Sequence, residues 1–302
     1  MGMNTLVIAS ECAAGLFPKN TLAGFQHCQN IGVDGIEFDV HLSRDGHVVV
    51  QHDYLLNKQV TRDTAGNWLA APGPGMGEMT LAEIKQYDVG RYSPSARENL
   101  EYPDYQPIDG TRIPTLVEFI EQVQLKQTGR PKLWLELKTD PFNRTQSADP
   151  KALLDTVLQN LTDADLLRNT VLLAFEWDVL LRAQSLCPEI ETDFLTINRN
   201  YLAHSYRKLE NINPDDLYGK GFTEHPNLSF AERIKNAGGT WWGPLAMDVS
   251  EGDVAAAQKL GLKVNLWGVP STNEGMRVNL NKHPDAITLS CPDKLMALLA
   301  PS

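Results

Sequence analysis

Short apolar runs alternate with amphipathic segments along most of the chain. Residues 5–9 form an apolar run that predicts a buried strand, and the next segment has helical spacing. Leu22, Phe25 and Ile31 fall on one side of that helix, and Gly32 is a typical helix stop. The chain is therefore predicted to begin with a strand followed by a helix.

The same alternation resumes in the second third of the chain. Strands are predicted at residues 132–138, 170–175, 192–196, 263–267 and 286–290. Helices are predicted after the capping residues Thr80, Thr115, Asp149, Ser229 and Ser250, and again over residues 177–185. The helix after Thr115 is predicted to run to about Gln124. There are slightly more than eight strand candidates, so residues 240–243 are expected to be irregular.

Strands that alternate with helices of about ten residues imply a parallel sheet in an α/β protein. At 302 residues, a closed TIM-like (β/α)8 barrel is favoured over an open doubly wound sheet. No GxGxxG sequence follows the first strand, which argues against a dinucleotide-binding fold. The regularity lapses over residues 54–112. We interpret that stretch as an insertion after the third strand of a single domain spanning residues 1–302.

Candidate chemistry is concentrated in residues 35–53, which are predicted to form two short strands joined by a polar turn. Glu37 and Asp39 leave the same face of the first strand, and His52 falls at the C-terminal end of the second. Two carboxylates converging with a histidine suit a hard cation with an acid–base group beside it. Alternatively, Glu37 and Asp39 are solvated residues on an exposed edge strand.

In a barrel, the C-terminal ends of the strands share one rim, where active sites lie. The residues predicted at or near that rim are Ser10, Glu37, Asp39, His52, Glu136, Lys138 and Trp267. Taken one at a time, Glu136 and Lys138 could be an exposed ion pair, and Trp267 a packing residue. Their shared location is more informative than any one of them alone.

The net charge of the chain argues against some classes of binding partner. The chain has 38 acidic and 27 basic residues, a net charge of -11, which argues against binding nucleic acid or anionic membrane surfaces. An anionic protein that handles an anionic small molecule needs a cation in its site. The four cysteines are scattered, and the N-terminal apolar run is too short for a signal peptide or a membrane span. A cytoplasmic location is therefore expected, while the oligomeric state stays open.

Several ordered motifs resemble the glycerophosphodiester phosphodiesterase family. They are Ile36-Glu37-Phe38-Asp39-Val40, Asp45-Gly46 followed by Val49-Val50-Gln51-His52-Asp53, and Leu135-Glu136-Leu137-Lys138. Residues 17–25 are similar to the family's PENTLAAF run, and the likeness continues through residues 264–269 and 284–288. It covers nearly the whole chain, and the family carries its own insertion at the place of residues 54–112.

The resemblance implies a TIM-like barrel in which Glu37, Asp39 and Glu136 bind one divalent cation, Mg²⁺ or Ca²⁺. It further implies that Lys138 contributes to binding the phosphate and that Trp267 lines the pocket for the glycerol part. His52 would be one of two histidines that move protons between the attacking hydroxyl and the leaving oxygen.

The end of the first strand departs from the family. The family has His-Arg-Gly there, supplying the other histidine and a phosphate-binding arginine, whereas this chain has Ser10-Glu11-Cys12. His41 is expected past the end of its strand and His47 in the turn, so neither replaces the missing imidazole. Losing a positioned general acid or base costs about two to four powers of ten in rate.

Glu11 and Ser10 are nevertheless assigned to the site, Ser10 as a substrate contact. Glu11 could donate a proton if neighbouring carboxylates raised its pKa. It could instead add a fourth carboxylate and recruit a second cation, or it could be a solvated rim residue.

Three functions follow from these residues. The first is a metal-dependent phosphoric diester hydrolase that releases an alcohol and a phosphomonoester such as glycerol 3-phosphate, with weakened or redirected activity. The second is a catalytically silent protein that binds a phosphodiester and a metal. The third is a lyase that forms a cyclic phosphate.

Overall fold

The computed structural model describes residues 5–123, 131–144, 146–197, 217–219 and 227–300. The described residues contain nine strands: β1 (Leu6–Ala9), β2 (Gly35–Leu42), β3 (Val48–Val50), β4 (Lys132–Leu137), β5 (Thr170–Ala174), β6 (Glu191–Thr196), β7 (Trp241–Pro244), β8 (Lys263–Leu266) and β9 (Ala286–Leu289). Apolar runs form most of them, as expected for strands covered on both faces.

Eight of these strands close into a parallel barrel. Their order is β1-β9-β8-β7-β6-β5-β4-β2, and β2 pairs in turn with β1. Each of these pairings is parallel. The predicted TIM-like barrel is therefore confirmed.

The ninth strand is β3, which lies outside the barrel. It pairs antiparallel with the end of β2, with Val40 opposite Val50. The expectation that residues 240–243 are irregular is wrong, because Trp241–Pro244 forms the barrel strand β7. A parallel crossover needs a dozen or more residues, so the short turn between β2 and β3 permits only a hairpin.

The position of β3 brings residues 51–53 over the end of β1. Gly35 pairs with Ile8 on one edge of β2 and with Lys132 on the other. Val40 pairs with Leu137 of β4 and with Val50 of β3. Since β4 occupies one edge throughout, β1 and β3 share the opposite edge, with β3 nearer the C-terminal rim.

Ten helices are described: α1 (Leu22–Ile31), α2 (Leu81–Ile84), α3 (Glu98–Glu101), α4 (Leu116–Gln122), α5 (Pro150–Asp163), α6 (Trp177–Leu186), α7 (Phe230–Asn236), α8 (Glu251–Lys259), α9 (Asn273–Leu280) and α10 (Pro292–Leu299). Side chains of the capping residues named above accept hydrogen bonds from the first turns. The expected end of α4 at Gln124 lies outside the described residues. In the part of the chain that the structure describes, no helix is both long enough and apolar enough to cross a bilayer.

Two apolar layers hold the barrel together. Outward-facing Phe38 of β2 packs against Phe25 of α1 and Phe119 of α4, with ring centroids 6.3 and 5.0 Å away. The lower barrel interior is filled by Ile8, Trp134, Val171, Leu173, Leu195, Trp241 and Ala286. The barrel interior is thus packed with an apolar plug at this level rather than open.

Residues 54–112 contribute no barrel strand. Leu56, Met76 and Ile84 are buried in a separate apolar cluster that also contains Val49 and Ile113, beside the two ends of the segment. The segment is thus anchored to the barrel by its own small core. Its description as an insertion within one domain stays a prediction.

Candidate active site

A cavity of about 480 Å³ opens at the C-terminal rim of the barrel. Its lining includes all eight side chains predicted at the site: Ser10, Glu11, Glu37, Asp39, His52, Glu136, Lys138 and Trp267. They come from β2 and β4 and from the segments that follow β1, β3, β4 and β8. Barrel closure brings them together from distant parts of the chain.

Three carboxylates converge on one side of the cavity. Glu37 and Asp39 project from the same face of β2, and Asp39 pairs in register with Glu136 of β4. One carboxylate oxygen from each residue lies within 4.8 Å of the other two. Glu37 and Asp39 are buried, so the alternative of solvated edge residues does not hold.

Among the described residues, the cationic side chain that contacts this cluster is Lys138. Lys138 Nζ donates to Glu136 Oε1 at 2.9 Å and lies 3.5 Å from Asp39 Oδ1. Burial, together with Asp39 and Glu136, raises the pKa of Glu37 well above its usual value. Lys138 thus contacts two of the three carboxylates, and a divalent cation would offset the repulsion among them.

The oxygens present also fit a hard cation. Asp39 Oδ1 is buried and accepts no hydrogen bond from a described residue. Such an oxygen is costly unless another group satisfies it. Carboxylate oxygens are the ligands that Mg²⁺ and Ca²⁺ prefer. Glu37, Asp39 and Glu136 are therefore suited to hold one divalent ion.

The remaining carboxylate oxygens are held in place by the segment after β1. Asn20 Nδ2 donates to Asp39 Oδ2 at 2.8 Å, and Asn20 Oδ1 accepts from the Asp39 N–H at 3.1 Å. Glu37 Oε2 accepts from the Glu11 N–H at 2.7 Å and from Ser10 Oγ at 3.3 Å. Asn20 was not singled out from the sequence as a site residue, although it lies in the family-like run.

Glu11 occupies an uncommon backbone conformation. Glu11, Cys12 and Ala13 have successive φ values of 44°, 60° and 63°, a left-handed stretch rare for residues with a Cβ. The turn aims the Glu11 N–H at Glu37, while the Glu11 side chain points to Lys19, with Oε2 3.1 Å from Nζ. To donate a proton or bind a second cation, Glu11 would have to leave this lysine.

His52 supplies the imidazole of the cavity. It lies two residues beyond β3, with Nδ1 3.2 Å from Asp53 Oδ1. Lys138 and burial lower its pKa, but the carboxylates of Asp39, Glu11 and Asp53 outweigh them and raise the pKa above 6.5. A divalent ion on Asp39 would offset part of that rise.

His41 differs from its expected position. β2 extends to Leu42, so His41 lies within the strand rather than past its end, opposite Val49. Its side chain is buried, with Nε2 3.3 Å from the His52 carbonyl oxygen. Burial and Lys138 lower its pKa to about 4, which keeps the ring neutral near pH 7. It does not line the cavity, so it does not supply the second histidine that the family resemblance implies.

The opposite wall of the cavity is largely apolar. Trp267 packs edge-to-face on Phe175, with ring centroids 5.7 Å apart, and its Nε1 donates to the Gly243 carbonyl at 2.9 Å. Leu195 and Ile197 continue this wall. Trp267 is both a packing residue and a cavity-lining residue, so the two interpretations given above are compatible.

Asn265 and Thr288 of the cavity lining belong to a polar chain with Asp193, none of which was predicted as a site residue from the sequence. Asn265 Nδ2 donates to Asp193 Oδ2 at 2.9 Å, and Asn265 Oδ1 accepts from Thr288 Oγ1 at 2.8 Å. Asp193 is fully buried, and burial raises its pKa from 3.8 to about 7. The available signal was the alternation in β6, which points Asp193 and Leu195 to the same face of the strand.

Asp193 should make stability depend on pH. The folded protein keeps its proton up to about pH 7, whereas the unfolded chain loses it near 3.8, so stability falls as pH rises between those values. At about 1.4 kcal/mol per pKa unit, the loss is at most about 4 kcal/mol. Asp193→Asn should reduce this loss, measured by denaturant unfolding at pH 5 and pH 8. Equal losses in both proteins would contradict the assignment.

Comparison with known proteins identifies the relatives of this chain. Residues 12–293 match the model of the glycerophosphoryl diester phosphodiesterase family. A glycerophosphodiester phosphodiesterase of Caldanaerobacter subterraneus is 37% identical over 121 residues, which is 40% of this chain and 41% of that protein. The alignment thus spans less than half of that relative's length.

Solved structures match over nearly the whole chain. A Silicibacter pomeroyi protein provisionally named a glycerophosphoryl diester phosphodiesterase is 29% identical, with a TM-score of 0.82 over 98% of this chain and 92% of its own. An Oleispira antarctica phosphodiesterase in complex with the product sn-glycerol-3-phosphate shares the fold, with 22% identity and a TM-score of 0.67 over 97% and 95% of the two chains.

Proposed function

The chain belongs to the glycerophosphoryl diester phosphodiesterase family, and we propose that it is a metal-dependent hydrolase of phosphoric diesters. Its substrates would be glycerophosphodiesters, and its products an alcohol and a phosphomonoester such as glycerol 3-phosphate. The neighbour from Oleispira antarctica, described in complex with that product, supports this substrate class.

One observation carries the proposal. Oxygens of Glu37, Asp39 and Glu136 lie within 4.8 Å of one another in a cavity that also holds Lys138 and His52. The three carboxylates would hold one Mg²⁺ or Ca²⁺. Such an ion, when bound, neutralises charge that develops on the phosphoryl oxygens.

The chain's own residues would perform the remaining tasks. Lys138, buried beside Asp39 and Glu136, keeps a positive charge at the phosphate position, because those carboxylates raise its pKa despite burial. His52 Nε2 would move a proton between the reacting oxygens, and Trp267 would contact the alcohol part. The apolar plug fills the barrel interior beneath the cavity.

Because Ser10 stands at the end of the first strand, His52 is the one histidine among the described residues that line the cavity. Turnover of ordinary glycerophosphodiesters should therefore be weak unless substrate or water supplies the second proton transfer. A silent binding protein would form no product, and a cyclising lyase would form a cyclic phosphate instead of a phosphomonoester. Identifying the product therefore distinguishes the three functions.

Phosphorus NMR of a reaction with glycerophosphocholine and Mg²⁺ or Ca²⁺ tests the proposal. We expect slow appearance of glycerol 3-phosphate that stops when EDTA removes the metal. A cyclic phosphate would assign the lyase. If no diester in a panel of head groups is consumed with either metal, while the same diesters raise the melting temperature, the silent binding function replaces the hydrolase.

A further inference from the structure

We propose that Lys19 is a positioning residue for His52. Bound between Glu11 and Asp53, it holds the Asp53 carboxylate against Nδ1 of His52 and so directs the Nε2 lone pair into the cavity. The catalytic consequence rests on the proposed function, whereas the effect on the His52 ring can be measured without turnover.

Lys19 links two segments that are separate in sequence. It precedes α1, and its Nζ lies 3.1 Å from Glu11 Oε2 and 3.6 Å from Asp53 Oδ2. Its side chain is only 16% exposed, so the ammonium is largely withdrawn from water. A desolvated cation between two carboxylates is held far more firmly than an exposed surface pair.

Asp53 transmits this constraint to the imidazole. Its Oδ2 faces Lys19 and accepts from Asn57 Nδ2 at 3.0 Å, which leaves Oδ1 3.2 Å from His52 Nδ1. Burial alone would raise the pKa of Asp53, but Lys19, His52 and Asn57 outweigh it and hold the pKa well below its usual value. An ionised carboxylate only accepts hydrogen bonds, so Nδ1 carries the proton and neutral His52 is basic at Nε2.

Lys19 also anchors the turn that supports the carboxylate cluster. Its partner Glu11 donates its N–H to Glu37 at 2.7 Å, and the neighbouring Asn20 bonds Asp39 through both atoms of its amide. The Asn20 N–H donates to the Glu11 carbonyl at 2.8 Å, which closes the segment on itself. Through Glu11 and Asp53, Lys19 therefore connects the turn that supports the carboxylates with the residue next to the imidazole.

The family motifs quoted above imply an arginine at position 11 and a glutamate at position 19, whereas this chain has Glu11 and Lys19. The structure places Glu11 and Lys19 in contact, so exchanging both charges would preserve their attraction. The contact also means that an arginine introduced at position 11 alone would face Lys19.

Lys19→Met tests the positioning role. We expect the ¹⁵N chemical shifts of His52 to move away from those of an imidazole protonated only at Nδ1. We also expect kcat to fall about 10- to 100-fold with KM changed less than about threefold, the range typical of groups that orient an active ligand or base. Lys19→Arg should restore most of the parent's kcat and bring the His52 ¹⁵N shifts close to those of the parent. Lys151→Met removes a lysine from an exposed ion pair and serves as the control.

The result that overturns the proposal is a folded Lys19→Met protein with the His52 shifts and kcat of the parent. If the parent itself hydrolyses no diester, the proposed function fails, but the ¹⁵N shifts still decide the role of Lys19. Changed shifts would then support the positioning of the ring in a binding protein, and unchanged shifts would reject it.

A charge-exchange series tests the pair independently. Ser10→His with Glu11→Arg rebuilds the family's first-strand residues but places a guanidinium against the Lys19 ammonium, so we expect lower thermal stability and no gain in rate. Adding Lys19→Glu should recover thermal stability, because the charges at positions 11 and 19 again attract each other. Equal melting temperatures with and without Lys19→Glu would contradict coupling between positions 11 and 19.

Discussion

Replacing Glu136 with glutamine is expected to lower turnover about 1,000-fold and to weaken binding of the divalent cation. Glu136 lies beside Asp39 in the barrel register and supplies one of the three converging oxygens. A neutral amide removes one negative charge from the cluster and releases Lys138 from its 2.9 Å contact. Charge stabilisation by a bound metal is worth several kcal/mol, or about three powers of ten in rate.

Isothermal titration with Mg²⁺ and Ca²⁺, combined with rates at saturating metal, measures both effects. Glu191→Gln is the matched control, because Glu191 lies at the opposite end of the barrel and bonds Lys132 and Trp241. That variant should lose some stability and keep its metal affinity. Unchanged affinity and rate in Glu136→Gln would show that the three carboxylates do not form the metal site.

Replacing His52 with glutamine is expected to lower kcat/KM by about two to four powers of ten, the usual contribution of a positioned acid–base group. His52 lines the cavity, its side chain is 41% exposed, and Asp53 orients its ring. The pH profile of the parent should show an ionisation above 6.5, in the direction in which Asp39, Glu11 and Asp53 shift this pKa against Lys138 and burial. The variant should lack that ionisation.

His47→Gln is the matched control for this substitution. His47 lies in the turn between β2 and β3, is about half exposed and does not line the cavity. Its removal should leave the rate and the pH profile unchanged. If His52→Gln is folded and as active as the parent, proton transfer does not use this imidazole, and the assignment of His52 as the acid–base group must be abandoned.

The sequence was most reliable where structure depends on neighbouring residues. Thr115 and Glu118, three residues apart, form the predicted capping box of α4 because the contacts are local. Glu37 and Asp39 share a face because strand side chains alternate with a period of two. Counting β3 among the barrel strands is wrong, because the short turn at residues 43–47 permits only an antiparallel hairpin between β2 and β3.

The family-like motifs extended the reach of the sequence beyond local patterns. The alternation had already placed Glu136, Lys138 and Trp267 at the same rim as Glu37, the motifs implied their roles, and these side chains do line one cavity. The motifs could not indicate that Lys19 contacts both Glu11 and Asp53, since those contacts join the segment after β1 to the segment after β3. The motifs also could not predict that the His41 side chain is buried, because its burial depends on how far β2 extends.

The sequence by itself thus determined most of the alternation of strands and helices, the paired carboxylates on β2, and that Ser10 stands where the resemblance implies a histidine. Only the tertiary structure decided which strands close the barrel, how near Glu136 comes to Asp39, and what balances the charge of Glu11. The reason is physical: capping and side-chain alternation act over a few residues, whereas distances between strands, burial and the resulting pKa shifts depend on the whole closed sheet.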